Sequence, residues 1–301
     1  MKGLDLARGL WEECGKPAMD CLPGMEYAAV GLCGAGSDCL GYDDDTSRDH
    51  DWGPGFMVFL PEAAAQQYGF ALSKAYDSLP AEYKGYKVVR RSRMGDSRWG
   101  VKTLEGYFRP FTGTDGAPES WQQWLYTPSW AMAQAVSGQV FQDRAGAFTR
   151  IREIIAHGMP EDVRKKKIAA RAALMAQSGQ YNLTRCRKHG EEGAARLAAA
   201  EFVRESIHMA FLLNRQHMPY YKWALRALGE LPKLCELKPL LEEMLLHARA
   251  ETAEEIAAAV IEELKAQGLT HGNWDYLEPH AKAVTAGIEN PEIAALHWME
   301  G

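Results

Sequence analysis

The sequence predicts an α+β protein, with a mixed sheet in its N-terminal part and only helices in its C-terminal part. Short apolar runs of strand length, Tyr27 to Cys33, Gly55 to Leu60, Tyr86 to Arg91 and Gly100 to Leu104, all fall early in the chain and are bounded by Gly- and Asp-rich stretches. From Glu119 onward such runs nearly vanish, and apolar residues recur at helical spacing. The change of character centres on Phe141 to Gly146 (FQDRAG), which gives expected domains of residues 1–143 and 144–301.

In the first domain, Leu4 to Glu13 reads as an amphipathic helix and Tyr27 to Cys33 (YAAVGLC) as a buried strand. Gly34 to Arg48 is rich in Gly, Asp and Ser and reads as a loop before the next strand, GFMVFL. Pro61 occupies a favoured first helical position, so Glu62 to Ser78 continues as a helix. In the second domain helices are expected at 119–125, 129–136, 145–157, 161–178, 192–214, 220–228, 239–250 and 253–266. The stretch AEEIAAAVIEEL sets its acids opposite an apolar stripe.

The bulk composition excludes several classes. With 301 residues and 47% hydrophobic residues the chain can bury a core without covalent staples. A formal net charge of −6 supplies no general attraction for nucleic acid, which is not an expected partner. The six cysteines, Cys14, Cys21, Cys33, Cys39, Cys186 and Cys235, include no CxxC pair, so free thiols in a reducing cytoplasm are expected. The N-terminal stretch carries acids within its apolar residues and does not read as a signal peptide. No apolar run reaches the roughly 18 residues of a membrane span, so no membrane association is expected. No HExxH, Walker A, GxSxG or full dinucleotide-binding fingerprint is present.

The richest local signal is Gly36-Ser37 at the end of the first apolar run, followed by Asp49-His50-Asp51 ahead of the second. A small-residue turn offers backbone N–H groups and a hydroxyl to phosphate, with Gly34 contributing. If Asp49 and Asp51 run into a strand, their side chains share one face and form an oxygen-rich site suited to Mg²⁺, with room for two ions, while His50 faces the core. The bland alternative is an acidic, Gly-rich surface loop. Asp38, Asp43, Asp44 and Asp45 read as solvated loop charge rather than as ligands.

The run GLCGAGSDCLGYDDDTSRDHDWGPGFMVFL resembles the nucleotidyltransferase superfamily, whose hallmark is Gly-Ser followed by Asp-x-Asp. The Gly-Pro after the second acid departs from that pattern. More narrowly, SRDHDWGP, VFQD and FLLNRQHMPYYKW resemble a bacterial family with a helical C-terminal region, domain of unknown function 4037. The resemblance implies that Mg²⁺ and a nucleoside triphosphate, ATP above all, bind first. An acceptor hydroxyl or amine then attacks the α-phosphate and pyrophosphate leaves. A small molecule, aminoglycoside-like or lincosamide-like, is the first acceptor expected, and a protein side chain is the second. A nucleotide-sensing module without chemistry is the competing class.

The superfamily adds a third acid from a later strand. Glu105, closing GVKTLE, is the expected position, ahead of Asp143 and Asp96. By the same resemblance a lysine of the helical part reaches the triphosphate, and Lys222 is the matching position. Arg91, within the cluster Arg90, Arg91 and Arg93, and Arg215 are further candidates for holding phosphate, as are Arg109, Arg185 and Arg187. Tyr220, Tyr221 and Trp223 would wall a cleft or, more simply, belong to a core.

Overall fold

The computed structural model describes residues 1–49, 52–89 and 98–301. Two compact units emerge, one of residues 1–119 and 131–158 and the other of residues 120–130 and 159–301. The first is built on a mixed sheet and the second on helices, the α+β arrangement that the sequence predicts.

The first unit begins with α1 (Gly3–Leu10), a π turn (Trp11–Gly15) and α2 (Lys16–Met19). Its strands are β1 (Ala29–Cys33), β2 (Met57–Leu60), the two-residue ribbon of β3 (Glu82–Tyr83) and β4 (Tyr86–Lys87), β5 (Gly100–Thr103) and β6 (Gly138–Asp143). The main sheet has the order β5, β2, β1, β6. β1 lies antiparallel to both β2 and β6, whereas β2 and β5 are parallel. A parallel pair needs a crossover, and α3 (Glu62–Asp77) provides it.

Both faces of the sheet are covered, which is why β1 and β2 are apolar throughout rather than alternating. Val30, Leu32, Val58 and Leu60 pack with Leu6, Leu10 and Leu72 on one side. On the other, Phe59 stacks on Phe148 at 4.1 Å and meets Tyr107 edge-on at 4.9 Å. Those two partners come from α4 (Leu104–Thr112) and α7 (Ala147–His157).

The strand expected at Tyr86 to Arg91 is described only as β4, because Arg90 and Arg91 lie outside the described residues. Leu104 and Glu105 are not a strand end but the first turn of α4, since the Thr103 hydroxyl accepts from Gly106 N at 2.9 Å and caps a helix there. β6 occupies a stretch expected to be a junction. It is an edge strand, partly exposed along its length, so it lacks a continuous apolar run.

β6 approaches β1 closely enough to require glycine. Gly138 has φ +84°, and a Cβ there would sit 2.0 Å from the Leu32 carbonyl oxygen. The register also slips between Val30 and Gly31, where a Cβ would meet Gln139 O at 2.4 Å.

The second unit contains α5 (Trp121–Tyr126), the start of α6 (Ser129–Val136), α8 (Glu161–Met175), a π segment (Ala176–Asn182), α9 (Leu183–Lys188) and α10 (Glu192–Leu213). It continues with α11 (Tyr221–Leu228), α12 (Leu237–His247), α13 (Ala250–Ala266), α14 (Leu277–Ala286) and α15 (Pro291–Ala294). Ile168, Phe202, Met209, Leu241, Ile256 and Leu264 are among its fully buried residues. Periodicity alone leaves α14 unmarked, because it is short and contains Pro279. That proline falls in the first turn, where a missing N–H breaks no bond. No helix among the described residues is long and apolar enough to cross a membrane.

Gly138→Ala should cost about 2 kcal/mol or more in urea unfolding, because left-handed strain adds to the clash with Leu32. Gly85→Ala, at φ +81° but facing open space, should cost about 1 kcal/mol. Equal effects would mean that the β1–β6 approach is not what demands glycine.

Candidate functional site

The antiparallel pairing of β1 and β2 fixes the geometry. Gly31 lies opposite Met57, so the C-terminal end of β1, which carries the Gly36-Ser37 turn, adjoins the N-terminal end of β2, which follows the acids. Gly34 and Gly36 take φ values of +98° and +128°, which turn the chain out of the sheet. Gly34 N donates to Ser137 O at 3.3 Å, and Ser37 O accepts from Tyr42 N at 2.7 Å. Among the described residues no acceptor meets the amides of Gly36 or Ser37, which leaves both free for an anion.

Asp38, next along the chain, underpins this turn. It accepts from both terminal nitrogens of Arg98, at 2.9 and 2.7 Å, and from its neighbour Cys39 N at 2.8 Å. Arg98 also contacts Cys39 Sγ at 3.0 Å and lies over the Trp99 ring at 4.6 Å. A Cβ on Gly36 would come 2.4 Å from Asp38 Oδ1 and 3.0 Å from Arg98 Nη1, so the ion pair seats directly against the glycine. A second arginine holds the same end of the sheet. Arg152 of α7 donates to Cys33 Sγ at 2.8 Å, to Ser137 O at 3.3 Å and to Gly138 O at 3.1 Å, and also to Val136 O. Burial pushes the Cys33 thiol up to about 11, and it raises Cys39 as well, so both remain neutral thiols.

The acids upstream of β2 divide. Asp43 is buried, not solvated. It accepts from Gly3 N at 2.7 Å and Trp52 Nε1 at 2.9 Å, and so joins the N-terminus of α1 to the loop. Asp38 likewise is not loop charge. Asp44 is exposed and binds Ser47 N at 3.1 Å, which starts a 3₁₀ turn at Thr46–Asp49. Asp49 therefore closes a helical turn rather than running into a strand, since β2 begins only at Met57. The side chain of Asp49, and His50 and Asp51 entirely, lie outside the described residues, as do Arg90, Arg91, Arg93 and Asp96.

Glu105 is placed differently from expectation. It follows β5, which is parallel to β2 with Thr103 opposite Leu60, so it sits at the far end of the sheet from Gly36-Ser37. A four-residue strand separates the two ends by roughly 10 Å. Its Oε1 accepts from Glu62 N at 3.3 Å at the start of α3, and its buried Oε2 has no partner among the described residues. Asp143 is at the same far end, opposite Ala29, and accepts from Gly146 N and Thr149 N at 2.9 and 2.8 Å. Neither position is a third ligand beside the turn.

The remaining candidates lie mostly in the helical unit. Arg215, at φ +55°, pairs with Glu161 at 3.0 Å. Lys222 is exposed in the first turn of α11, its ammonium 5.1 Å from the centre of the Trp223 ring. Tyr220 and Tyr221 form a tilted pair at 4.4 Å and are exposed, not core. Arg185 lies over Tyr181 at 5.2 Å, and Arg187 donates to His247 O at 2.8 Å. In the first unit Arg109 pairs with Asp115.

Among the described residues no three His, Cys, Asp or Glu side chains cluster as a metal site. The free amides of the turn are donors of the kind that hold phosphate oxygens.

Residues 124–224, running from α5 into α11, match the family model described as Domain of unknown function (DUF4037). This is the family that the sequence motifs resemble. A crystal structure of a nucleotidyltransferase-like protein from Exiguobacterium sibiricum 255-15 aligns over 95% of this chain and 81% of that one, at 12% identity and a TM-score of 0.37. No curated protein matches the sequence.

Arg98→Met would leave Asp38 buried and unpaired, and should cost about 3–5 kcal/mol in urea unfolding. Arg98→Met with Asp38→Asn should cost clearly less than the sum of the two single changes. Additive losses would show that the two side chains act separately.

Proposed function

We propose that this chain is a nucleotidyltransferase that moves a nucleoside monophosphate from a triphosphate, ATP first, to a hydroxyl or amine of a small molecule and releases pyrophosphate. One observation carries the reading: the β1–β2 register brings a Gly-Ser turn with free amides to the sheet end that Asp49 and Asp51 precede. The Gly36 and Ser37 amides and the Ser37 hydroxyl would hold phosphate oxygens. Asp49 and Asp51 would hold Mg²⁺, which supplies charge neutralisation at the transferring phosphoryl group. Arg98 is committed to Asp38 and fixes the turn rather than the nucleotide.

Lys222, Arg215 and Arg91 are the proposed sources of further positive charge for the phosphates. Of these, Lys222 has no carboxylate partner among the described residues, whereas Arg215 is already paired.

A second reading, nucleotide binding without transfer, is favoured by the third acid. Glu105 and Asp143 are both at the wrong end of the sheet and both bond helix N-termini. Pyrophosphate release separates the two readings.

With ATP or GTP, Mg²⁺ and an aminoglycoside or lincosamide acceptor, the wild type should release pyrophosphate. Asp49→Asn and Asp51→Asn should each lower the rate by roughly 10²-fold, while Glu105→Gln should change it little. Unchanged turnover in both aspartate variants would remove the mechanism. Nucleotide binding with no pyrophosphate would leave only the sensing module.

A further inference from the structure

Five cations lie along α8, and one of them lacks what the others have. Arg164 bonds Glu161 at 2.7 Å and Gln267 at 3.2 Å. Lys165 donates to Gly287 O at 2.6 Å, and Lys166 to Leu296 O and His297 O at 3.0 and 2.7 Å. Arg171 pairs with Glu205 at 3.0 Å. Lys167, with 9% of its surface exposed, has no hydrogen-bond or ion-pair partner among the described residues. Its stem is buried while its ammonium keeps access to solvent, so the charge is open to a ligand rather than sealed in the core.

Lys167 faces a cavity of about 330 Å³ inside the helical unit, shared with Arg171, His208, Leu212, Tyr126 and Glu300. That volume is on the scale of a small-molecule site. Arg171 is one helical turn from Lys167, so both charges project to the same side of α8. The buried Arg171 Nε has no acceptor among the described residues, although the group's other nitrogens reach Glu205 and the Gly301 main-chain oxygen. His208 enters from α10 and makes no hydrogen bond among the described residues. Burial first, then the charges of Arg171, Arg204 and Lys167, lower it to about 3, so its ring is neutral. Among the side chains lining the cavity the one carboxylate is Glu300, held by the Tyr126 hydroxyl at 2.5 Å; Gly301, whose main-chain oxygen accepts from Arg171, lines it as well.

A larger cleft of about 570 Å³ lies beside α13, but there Gln180 bonds Glu254 and Lys265 bonds Glu262. Its remaining carboxylate, Asp275, is exposed, so the cleft holds no charged group buried as Lys167 is.

We propose that the helical unit binds a small molecule by its oxyanion group, phosphate or carboxylate, in the cavity that Lys167 and Arg171 line. The ammonium of Lys167 supplies the charge-assisted donor, and the guanidinium of Arg171 beside it adds positive charge. The apolar wall of Leu125, Met159 and Leu212 takes the rest of the ligand. The site stands whether or not the chain transfers nucleotides.

Calorimetric titration of the full chain with inorganic phosphate, and separately with acetate, tests this. At least one probe should bind saturably, and the stronger one identifies the class of oxyanion. Lys167→Met should weaken that binding roughly tenfold or more, and Lys282→Met, an exposed charge control, should leave it unchanged. The His208 imidazole should titrate higher in the bound state, because an anion offsets its cationic neighbours. No saturable binding of either probe, or the same affinity in Lys167→Met, overturns the proposal.

Stability gives a readout that needs no ligand. Burial and, next, Arg171 lower Lys167 from 10.5 to about 8. Between these values the unfolded chain holds a proton that the folded chain has released, so stability rises with pH across that window. The charges around Lys167 are Arg171 on its own helix, His208, Arg204 and Glu205 on α10, and Glu300. Lys167→Met should melt above wild type at pH 7, and its advantage should shrink as the pH rises from about 8 toward 10.5. A variant that melts below wild type at every pH would show that Lys167 is a structural partner, and the site would fall.

Discussion

The bidentate pair between Asp38 and Arg98 is the interaction on which the candidate site depends. It joins the loop after β1 to the residue just ahead of β5, positions sixty residues apart in the chain. Without it, the Gly34–Ser37 turn would be a glycine-rich loop with few internal bonds, and such loops sample many conformations. With it, the exposed Gly36 rests on a buried ion pair, and no acceptor among the described residues meets its amide. Because the pair is buried, removing one member is far more damaging than its net contribution suggests. Arg152 does the equivalent work at Cys33 and Gly138, tying β1 to β6.

The two units use buried cations in contrasting ways. In the sheet unit, Arg98 is committed to Asp38 through its two terminal nitrogens and Arg152 to main-chain carbonyls and Cys33, and both act as fixed struts. In the helical unit, α8 resolves four of its cations in the same manner and leaves Lys167 facing a cavity. A fold under selection for stability alone would replace such a lysine with an apolar residue of similar length. Its presence in the lining is the observation on which the proposed oxyanion site rests.

Much of this arrangement is legible in the sequence. β1, β2 and β5 announce themselves as apolar runs, and the long helices by their period, because each buries a continuous face. The Gly-Ser turn is legible because left-handed backbone at a strand end demands glycine. The roles of Asp38 and Asp43 are not legible. A buried and a solvated aspartate look alike until the partner is known, and Arg98 and Gly3 are remote from them in the chain. Glu105 misleads for a different reason. Its position at a strand end is inferred from an apolar run, but Thr103 caps a helix one residue earlier, and only the parallel register shows which end of the sheet it occupies. Lys167 is invisible for a third reason: five cations in one helix read as a solvated face, and only packing reveals which of them has no partner.

The central claim is that the Gly36-Ser37 end of the sheet receives a metal-bound triphosphate. Paramagnetic broadening of backbone amides by Mn²⁺ with a non-hydrolysable ATP analogue tests it directly. The account predicts strong broadening at Gly36 and Ser37, little at Glu105 and Gly146 across the sheet, and loss of the effect when Asp49 and Asp51 are both changed to asparagine. Broadening centred on Glu105, or unaltered by the double change, would contradict it.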